Sequence, residues 1–322
     1  MKKQLFIFSM VLSALLMVSC ATSVSYKVER PAELDLNGAN SISVLPFQDM
    51  DYNGSYVFGL FWFDYTTNAQ KAADYLTDRL TMDILNSNYL QVVPSQSVQA
   101  AIASKKTVPC DVYLTGYISR YETHVEPTKH TDDDGNVTYT FKRYVSCRVT
   151  YQIMDAATNR IISYKSKDMF ANSSSYSHEY DLPRSYTLLE SDLRSLSSKI
   201  MKEIQPYTVT VSVSLMEDKS KEKDENFKYA DSLAKKGLYE QAEEKFMEIY
   251  RTSGKYEAGY NAARLMQVQG KLDDALELMT KLYNATGDKK AFNAKSQIQN
   301  EINLSNKLQS QLDAKDSKTG TK

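Results

Sequence analysis

Strict alternation of apolar and polar residues predicts one long strand in the middle of the chain. Its apolar positions, interrupted only by Arg143, are Val137, Tyr139, Phe141, Val145, Cys147, Val149, Tyr151 and Ile153. Most residues between them are polar, so one face of this strand should be buried and the other should meet solvent. The polar segment 130–136 predicts a hairpin turn, and the apolar-rich segment 110–125 before it predicts the antiparallel partner strand.

Helical spacing replaces alternation on both sides of this hairpin. Residues 68–86 predict a helix with Asn68 as its N-cap. Its apolar side chains, mostly on one face, are Ala69, Ala72, Ala73, Leu76, Leu80, Met82, Ile84 and Leu85. The remaining predicted elements are a short helix capped by Ser95, a helix at about 184–204, and short strands at 40–47, 89–94, 160–170 and 207–216. The order β-α-β-α-β-β-β-α-β predicts an α+β fold, in which helices flank a mixed β-sheet.

The C-terminal part of the chain shows an internal repeat with an offset of 33 residues. Gly237, Tyr239, Ala242 and Phe246 recur as Gly270, Leu272, Ala275 and Met279. This pattern resembles tetratricopeptide repeats, although the family's proline after the second helix and its opening tryptophan are missing. The resemblance implies an all-α domain of two helical hairpins and a capping helix. It also implies a groove for a peptide or helix, with Tyr229, Tyr256, Tyr260 and Asn261 as candidate contacts.

The first twenty residues predict a secretory signal. Lysines at positions 2 and 3 precede an apolar run of 14 residues, Leu5–Val18. A membrane-spanning helix needs roughly 20 residues, so the run is too short to be one. The next residues complete the sequence Met-Val-Ser-Cys at 17–20, which resembles a bacterial lipobox with methionine in place of the usual leucine. The resemblance implies an acylated Cys20. Because Ala21 is not the aspartate that retains such proteins in an inner membrane, it also implies an outer-membrane anchor, periplasmic or surface-facing.

The α/β segment carries a further resemblance. The pieces SISVLPFQD (41–49), DVYLTG (111–116) and DAATNRI (155–161) are similar to the periplasmic core of the curli-secretion channel lipoprotein family. That family shares its fold with lipoproteins that activate penicillin-binding proteins. The predicted division of the chain is a signal peptide at 1–19, a tether at 20–39, the α/β domain at 40–216, a charged linker at 217–226, the repeats with their cap at 227–312 and a disordered tail at 313–322.

Composition and motifs indicate no catalytic or metal chemistry. Charged residues make up 25% of the chain and the net charge is −1, so no basic surface for nucleic acid is predicted. The three histidines lack metal-ligand spacing, and the acidic turn at 131–136 lacks the ligand pattern of a calcium loop. We therefore expect no enzyme, no cofactor and no bound metal. The hairpin register puts Cys110 about 30 Å from Cys147, at ~3.3 Å per residue, so both thiols are predicted to be free.

Residues 51–68, DYNGSYVFGLFWFDYTTN, concentrate aromatic side chains and include the only tryptophan of the sequence. Three interpretations stay open: rings that plug the domain's own core, a contact for a partner protein, and contact with lipid near the anchor. Aromatic residues dominate interface hot spots, which makes Tyr56, Phe58, Phe61, Trp62 and Phe63 candidate partner contacts.

These patterns predict a non-catalytic outer-membrane lipoprotein that acts as an adaptor or scaffold in envelope assembly or secretion. Its expected partners are the membrane, through the lipid, and envelope proteins whose identity the sequence does not name; a homo-oligomer is left open. The alternative is a subunit of an oligomeric outer-membrane secretion channel, as the curli-secretion resemblance implies. Membrane-crossing strands need an apolar face over about 9 to 11 residues, and Arg143 interrupts the best candidate.

Overall fold

The computed structural model of the protein describes residues 22–50, 67–220 and 224–319. Its strands are β1 Ser23–Arg30, β2 Ser41–Val44, β3 Gln48–Asp49, β4 Gln91–Val92, β5 Val112–Thr131, β6 Val137–Asp155, β7 Arg160–Asn172 and β8 Tyr207–Ser214. Its helices are α1 Asn68–Ser87, α2 Ser95–Ala103, α3 Ser185–Leu188, α4 Glu190–Ile204, α5 Glu225–Lys235, α6 Tyr239–Ser253, α7 Tyr256–Val268, α8 Leu272–Thr286 and α9 Lys289–Thr319. The described residues form two compact units. We call residues 31–207 with 308–319 the α/β unit, and residues 22–30 with 208–307 the helical unit.

The α/β unit is built on a mixed sheet with the strand order β4-β2-β5-β6-β7, and β3 also pairs with β5. β2 runs parallel to β4 and β5, whereas β5, β6 and β7 form an antiparallel meander. The alternating residues of β6 from Val145 to Ile153 lie in the core, each 3% exposed or less. The predicted α+β class, with a mixed sheet, flanking helices and an all-helical C-terminal region, is confirmed.

Helices α1 and α4 pack on each other and share one apolar core with the sheet. Most of the predicted apolar face of α1 is buried, but Met82 and Leu85 are 54% and 47% exposed. At 3.6 residues per turn, these two positions lie on the side of the helix away from Leu80 and Ile84. The expected N-cap is also wrong by one residue. Thr67 caps α1, since its hydroxyl oxygen accepts from the backbone N–H of Gln70 at 2.9 Å.

Two smaller differences concern other helix ends. Ser95 is the first helical residue of α2, and Pro94 occupies the N-cap position without a side-chain capping bond. The single helix predicted over 184–204 is divided at Leu189 into α3 and α4. Leu189 is fully buried in the core of the unit, so the break accompanies the insertion of its side chain.

Strands β1 and β8 pair in a two-stranded sheet, which we call the ribbon. The backbone N–H of Leu215 donates to the carbonyl oxygen of Thr22 at 2.8 Å. The sequence places β8 with the α/β segment and treats residues 20–39 as a tether, whereas both strands lie in the helical unit. Burial explains the difference, because Val24 and Val213 belong to the same apolar cluster as the helices that follow.

The helices α5 to α8 form two hairpins that repeat each other. Gly237 and Gly270 follow the first helices with φ of 78° and 79°, and Gly254 and Gly287 end the second helices with φ of 66° and 64°. Positive φ is accessible to glycine at little cost, so the same turn recurs at the 33-residue offset of the sequence pattern. The small and bulky repeat positions Ala242, Ala275, Phe246 and Met279 are fully buried, as their spacing predicts.

Helix α9 continues past residue 312, beyond which the sequence predicts a disordered tail, to Thr319. Its C-terminal turns belong to the α/β unit. The Gln311 side-chain amide accepts from the backbone N–H of Ala32 at 2.9 Å and donates to the carbonyl oxygen of the same residue at 3.1 Å. Gly38 lets the helix approach, because a Cβ there would collide with the carbonyl group of Ala314. These contacts keep the polar end of α9 in helical form.

Candidate functional site

The far half of the β5–β6 hairpin extends beyond the rest of its sheet. β5 and β6 pair from Val112 opposite Asp155 to Thr131 opposite Val137. β7 accompanies β6 only as far as Tyr144. We call residues 125–131 and 137–143, which lie beyond this point, the arm. Its two strands of seven residues each span about 23 Å at ~3.3 Å per residue.

The arm has two chemically different faces. Residues that pair directly across antiparallel strands share a face. On one face Val137 and Tyr139 are 45% and 51% exposed, and Phe141 pairs with Pro127. This apolar face also carries Val125 opposite Arg143. The arm therefore presents apolar side chains to solvent along one side.

The opposite face of the arm is polar and held by its own contacts. A ring nitrogen of His130 lies 3.0 Å from the hydroxyl of Thr140. The ring of His124 stacks on Tyr144 with centroids 5.0 Å apart, and the amine of Lys142 lies 5.3 Å from the same ring. These contacts engage His124, His130, Thr140 and Lys142 with neighbours on the same polar face.

The tip of the arm is the predicted hairpin turn. Oδ1 of Asp132 accepts from the backbone N–H groups of Asp134 at 3.1 Å and Asn136 at 2.8 Å. Hydrogen bonds from Asn136 lower the pKa of Asp132. Gly135 takes a φ of 81°, which closes the turn. The acidic residues therefore shape a turn, as their spacing predicts.

Arg143, the interruption in the alternating pattern, holds the base of the arm. Its Nη1 donates to the carbonyl oxygen of Pro183 at 2.5 Å, and its backbone N–H donates to the hydroxyl of Ser173 at 2.9 Å. Tyr176 adds two backbone hydrogen bonds to Phe141, of 2.7 and 2.9 Å. The arginine is thus satisfied by the segment that follows β7.

In the helical unit, the ribbon packs on the first helices of both hairpins, since β1 contacts α5 and α7. Asn261 of α7 is fully buried. Its Oδ1 accepts from the backbone N–H of Met216 at 2.6 Å, and its Nδ2 donates to the Met216 carbonyl oxygen at 2.9 Å. The side chain that the sequence assigns to a partner groove thus binds the protein's own backbone just after β8.

Further polar contacts fasten β1 to the same unit. Gln267 donates to the hydroxyl of Tyr26 at 3.3 Å and accepts from Nη1 of Arg264 at 2.8 Å. Burial, together with the Glu301 carboxylate, raises the pKa of Tyr26. At the end of β1, Arg30 forms two hydrogen bonds to Glu301, of 2.5 and 2.6 Å. The middle and the C-terminal end of the strand are therefore tied to helices.

The other predicted site residues divide into two groups. Cys20 and the aromatic candidates Tyr56, Phe58, Phe61, Trp62 and Phe63 lie outside the described residues. On the first helices of the hairpins, Tyr229 is 53% exposed, Tyr256 is half-buried and Tyr260 is 8% exposed. The rings of Tyr256 and Tyr260 lie 6.4 Å apart. The sequence pattern missed β1, although Val24, Tyr26 and Val28 alternate with polar residues as strand residues do.

The start of β1 borders a surface cavity of about 210 Å³. Its lining residues, which we call the Thr22 surface, are Thr22, Glu217, Asp218, Phe227, Lys228, Asp231 and Lys235. Nζ of Lys255 lies 2.6 Å from Oδ1 of Asp218, whose side chain is 5% exposed. Burial alone would raise the pKa of Asp218, but hydrogen bonds from Lys255 and Ser220 hold it well below its usual range.

Cys110 and Cys147 are free thiols, as the register predicts. Cys147 pairs with Tyr121, and an irregularity between Ile118 and Arg120 shifts the register by one residue without bringing Cys110 near it. Burial raises the pKa of Cys147 to about 12. Burial and the nearby Asp111 raise the pKa of Cys110 to about 11.

The part of the chain that the structure describes brings no three His, Cys, Asp or Glu side chains into a metal-binding group. None of its helices has the length and apolarity that crossing a membrane requires.

No protein-family model matches the sequence, and the search of curated proteins gives no match. Among solved structures, the chain is similar to the PelC dodecamer from Paraburkholderia phytofirmans, with 12% identity over 57% of this chain and 99% of that chain and a TM-score of 0.28. A minor lipoprotein from Acinetobacter baumannii shares 11% identity over 51% of this chain and 91% of its own, with a TM-score of 0.28. Lipoprotein GNA1162 from Neisseria meningitidis shares 14% identity over 51% and 96%, with a TM-score of 0.25. Lipoproteins are thus among the structural neighbours, but scores this low establish no shared function. The curli-secretion resemblance stays a prediction.

Proposed function

We propose that this protein is a lipid-anchored, non-catalytic adaptor of the bacterial cell envelope that binds another envelope protein with its arm. The observation that carries the proposal is the apolar face of the arm. Val137 and Tyr139 stand 45% and 51% exposed on a two-stranded extension that the described chain leaves open to solvent at this point. A two-stranded hairpin is at best marginally stable in water, so a partner that covers this face would stabilise it.

The charges of the apolar face indicate the chemistry of the partner. Among its paired positions the charged residues are Lys129 and Arg143, both cationic. Arg143 is engaged at the base with Pro183, which leaves Lys129, opposite Tyr139, as the cation nearest the tip. The matching surface is therefore an apolar strip that carries a carboxylate. Tyr139 supplies the kind of large, rigid side chain that dominates interface hot spots.

The rest of the chain has supporting roles in this proposal. The acyl groups on Cys20 hold the adaptor at the outer membrane, because several buried chains anchor far more firmly than one. The aromatic residues between Tyr56 and Phe63 provide a second contact. The paired hairpins support a tetratricopeptide-like helical unit. Since its Asn261 already holds Met216, we place the principal partner contact on the arm.

Photo-crosslinking along one strand tests the arm. A photoreactive residue at Val137 or Tyr139 should yield an adduct with an envelope protein, whereas one at Thr138 or Thr140, on the polar face of the same strand, should not. The double change Val137→Ser, Tyr139→Ser should weaken that complex by about 2 kcal/mol, roughly 30-fold. Equal adducts from both faces, or none from either, would refute the arm as the contact.

The anchor has its own test. Changing Cys20 to alanine should move most of the protein from the membrane pellet to the soluble fraction after a salt wash, because the acyl chains supply the anchoring free energy. Changing Ser19 to alanine keeps the cysteine and a small residue before it, so this variant should stay in the pellet. A Cys20→Ala protein that remains in the washed pellet would show that acylation is not what holds it.

The second candidate function is a subunit of an oligomeric secretion channel. The segregated faces of the arm favour it, and the whole strands β5 and β6, of 20 and 19 residues, exceed the about 9 to 11 residues that cross a membrane. Arg143 on the apolar face opposes it, because an arginine near the bilayer midplane costs about 2 to 4 kcal/mol. If the protein is a channel subunit, photoreactive residues at Val137 and Tyr139 should form adducts with lipid in the same crosslinking experiment. The purified protein should also show conductance in planar bilayers.

A further inference from the structure

We infer that the Thr22 surface of the helical unit lies directly against the lipid headgroups of the membrane that carries the anchor. The inference rests on the proposed function in one respect, the acylation of Cys20. Its other support is the position of β1, which begins at Ser23 and is part of the helical unit.

The chain between the lipid and the folded unit is very short. Thr22 is already fastened, since its carbonyl oxygen accepts from the backbone N–H of Leu215 at 2.8 Å. Only Ala21 separates it from Cys20 in the sequence. Because an extended residue spans at most ~3.3–3.6 Å, the two Cα atoms of Cys20 and Thr22 lie within about 7 Å of each other. An acylated Cys20 therefore brings the Thr22 surface to the headgroups.

β1 is part of the folded helical unit, so it does not act as a flexible tether between the lipid and that unit. Val24 is 3% exposed and belongs to the apolar core of the helical unit. The hydroxyls of Ser25 and Ser212 lie 2.8 Å apart across the ribbon. At the other end, the side chains of Arg30 and Glu301 are 11% and 10% exposed and form two hydrogen bonds. Releasing β1 would expose an apolar side chain and separate a largely buried ion pair.

The chemistry of the Thr22 surface suits contact with headgroups. Two of its three acidic groups are compensated within the unit: Lys255 lies 2.6 Å from Asp218, and Lys235 lies 2.7 Å from Asp231. Lys228 and Lys235 are exposed at the rim. Lysines place their apolar stems along a surface and their amines at the polar interface. The surface thus carries little uncompensated negative charge toward an anionic membrane, and the acyl chains supply the binding.

Energy transfer to labelled lipid tests the inference on the full-length, acylated protein. A fluorescent non-canonical residue at position 228 serves as donor, so that the native thiols stay intact. The protein is reconstituted into vesicles of phosphatidylethanolamine and phosphatidylglycerol with an acceptor-labelled lipid. We expect efficient transfer. The matched control inserts twenty Gly/Ser residues between Ala21 and Thr22, which adds a reach of about 25 Å at ~5–6 Å × √n and should remove most of the transfer.

The outcomes separate the inference from the proposed function on which it rests. Mass spectrometry reports whether Cys20 is acylated, and vesicle flotation reports whether the protein is anchored. A protein that is not acylated, or that does not float with the vesicles, would refute the anchor. An acylated, floating protein whose transfer equals that of the linker variant would overturn the inference while the anchor stands. Locking the ribbon with Ser25→Cys, Ser212→Cys should leave transfer unchanged. Transfer that falls upon locking would show that β1 leaves the ribbon at the membrane, which also overturns the inference.

Discussion

Replacing Asn261 by alanine is expected to lower the free energy of unfolding of the full chain by about 2 to 6 kcal/mol. The change removes both hydrogen bonds between the Asn261 amide and the backbone of Met216, in a fully buried setting. Each buried N–H or carbonyl left without a partner costs ~1–3 kcal/mol, and two such groups remain. Urea unfolding followed by circular dichroism measures the loss, and amide exchange in β8 locates it.

Tyr229→Ala is the matched control for this prediction. Tyr229 lies on the first helix of the other hairpin and is 53% exposed, so its truncation should change stability by no more than about 0.5 kcal/mol. If Asn261→Ala unfolds at the same urea concentration as the unchanged protein, the ribbon is held by its apolar contacts and the amide is dispensable.

Replacing Arg30 by methionine is expected to cost about 3 to 5 kcal/mol, because it leaves the Glu301 carboxylate buried without its partner. The two side chains are only 11% and 10% exposed, and their hydrogen bonds of 2.5 and 2.6 Å join the end of β1 to α9. Faster amide exchange throughout β1 should accompany the loss of stability. Thermal and urea unfolding of the full-length protein provide the measurement.

The double variant Arg30→Met, Glu301→Met is the control that separates charge burial from packing. Replacing both members of a buried ion pair by apolar side chains is often neutral or stabilising. The double variant should therefore recover most of the stability that Arg30→Met loses, which gives a strongly non-additive cycle. Additive losses would mean that each side chain stabilises the unit through separate contacts, and β1 would then be less firmly fixed than its burial indicates.

Local sequence patterns predicted those parts of the structure that depend only on neighbouring residues in the chain. The buried faces of α1 and β6 follow from 3.6-residue and two-residue periods, and these depend on neighbouring residues alone. The two hairpins follow from glycines at a fixed offset, because positive φ is a property of one residue. The turn at the tip of the arm follows from Asp132 and Gly135 for the same reason.

The candidate site depended on contacts that no local pattern contains. In the sequence, Arg143 interrupts an otherwise apolar face. The structure explains its presence there, because its Nη1 donates to the carbonyl oxygen of Pro183 at 2.5 Å. Asn261 has the same helical position whether its amide faces a partner or binds Met216. The exposure of Val137 and Tyr139 follows from where β7 ends, since their alternation alone predicts burial.

The sequence by itself determined most of the strands and helices and which of their faces are apolar, although it missed β1 and the end of α9. Only the tertiary structure decided that β8 pairs with β1, a strand some 180 residues earlier, and not with the sheet. An alternating strand fits any sheet with a free edge and an apolar layer behind it, so its period carries no information about its partner. The choice follows from burial: Val24, Val213 and Leu215 fill the core of the helical unit, and this happens only when distant segments meet.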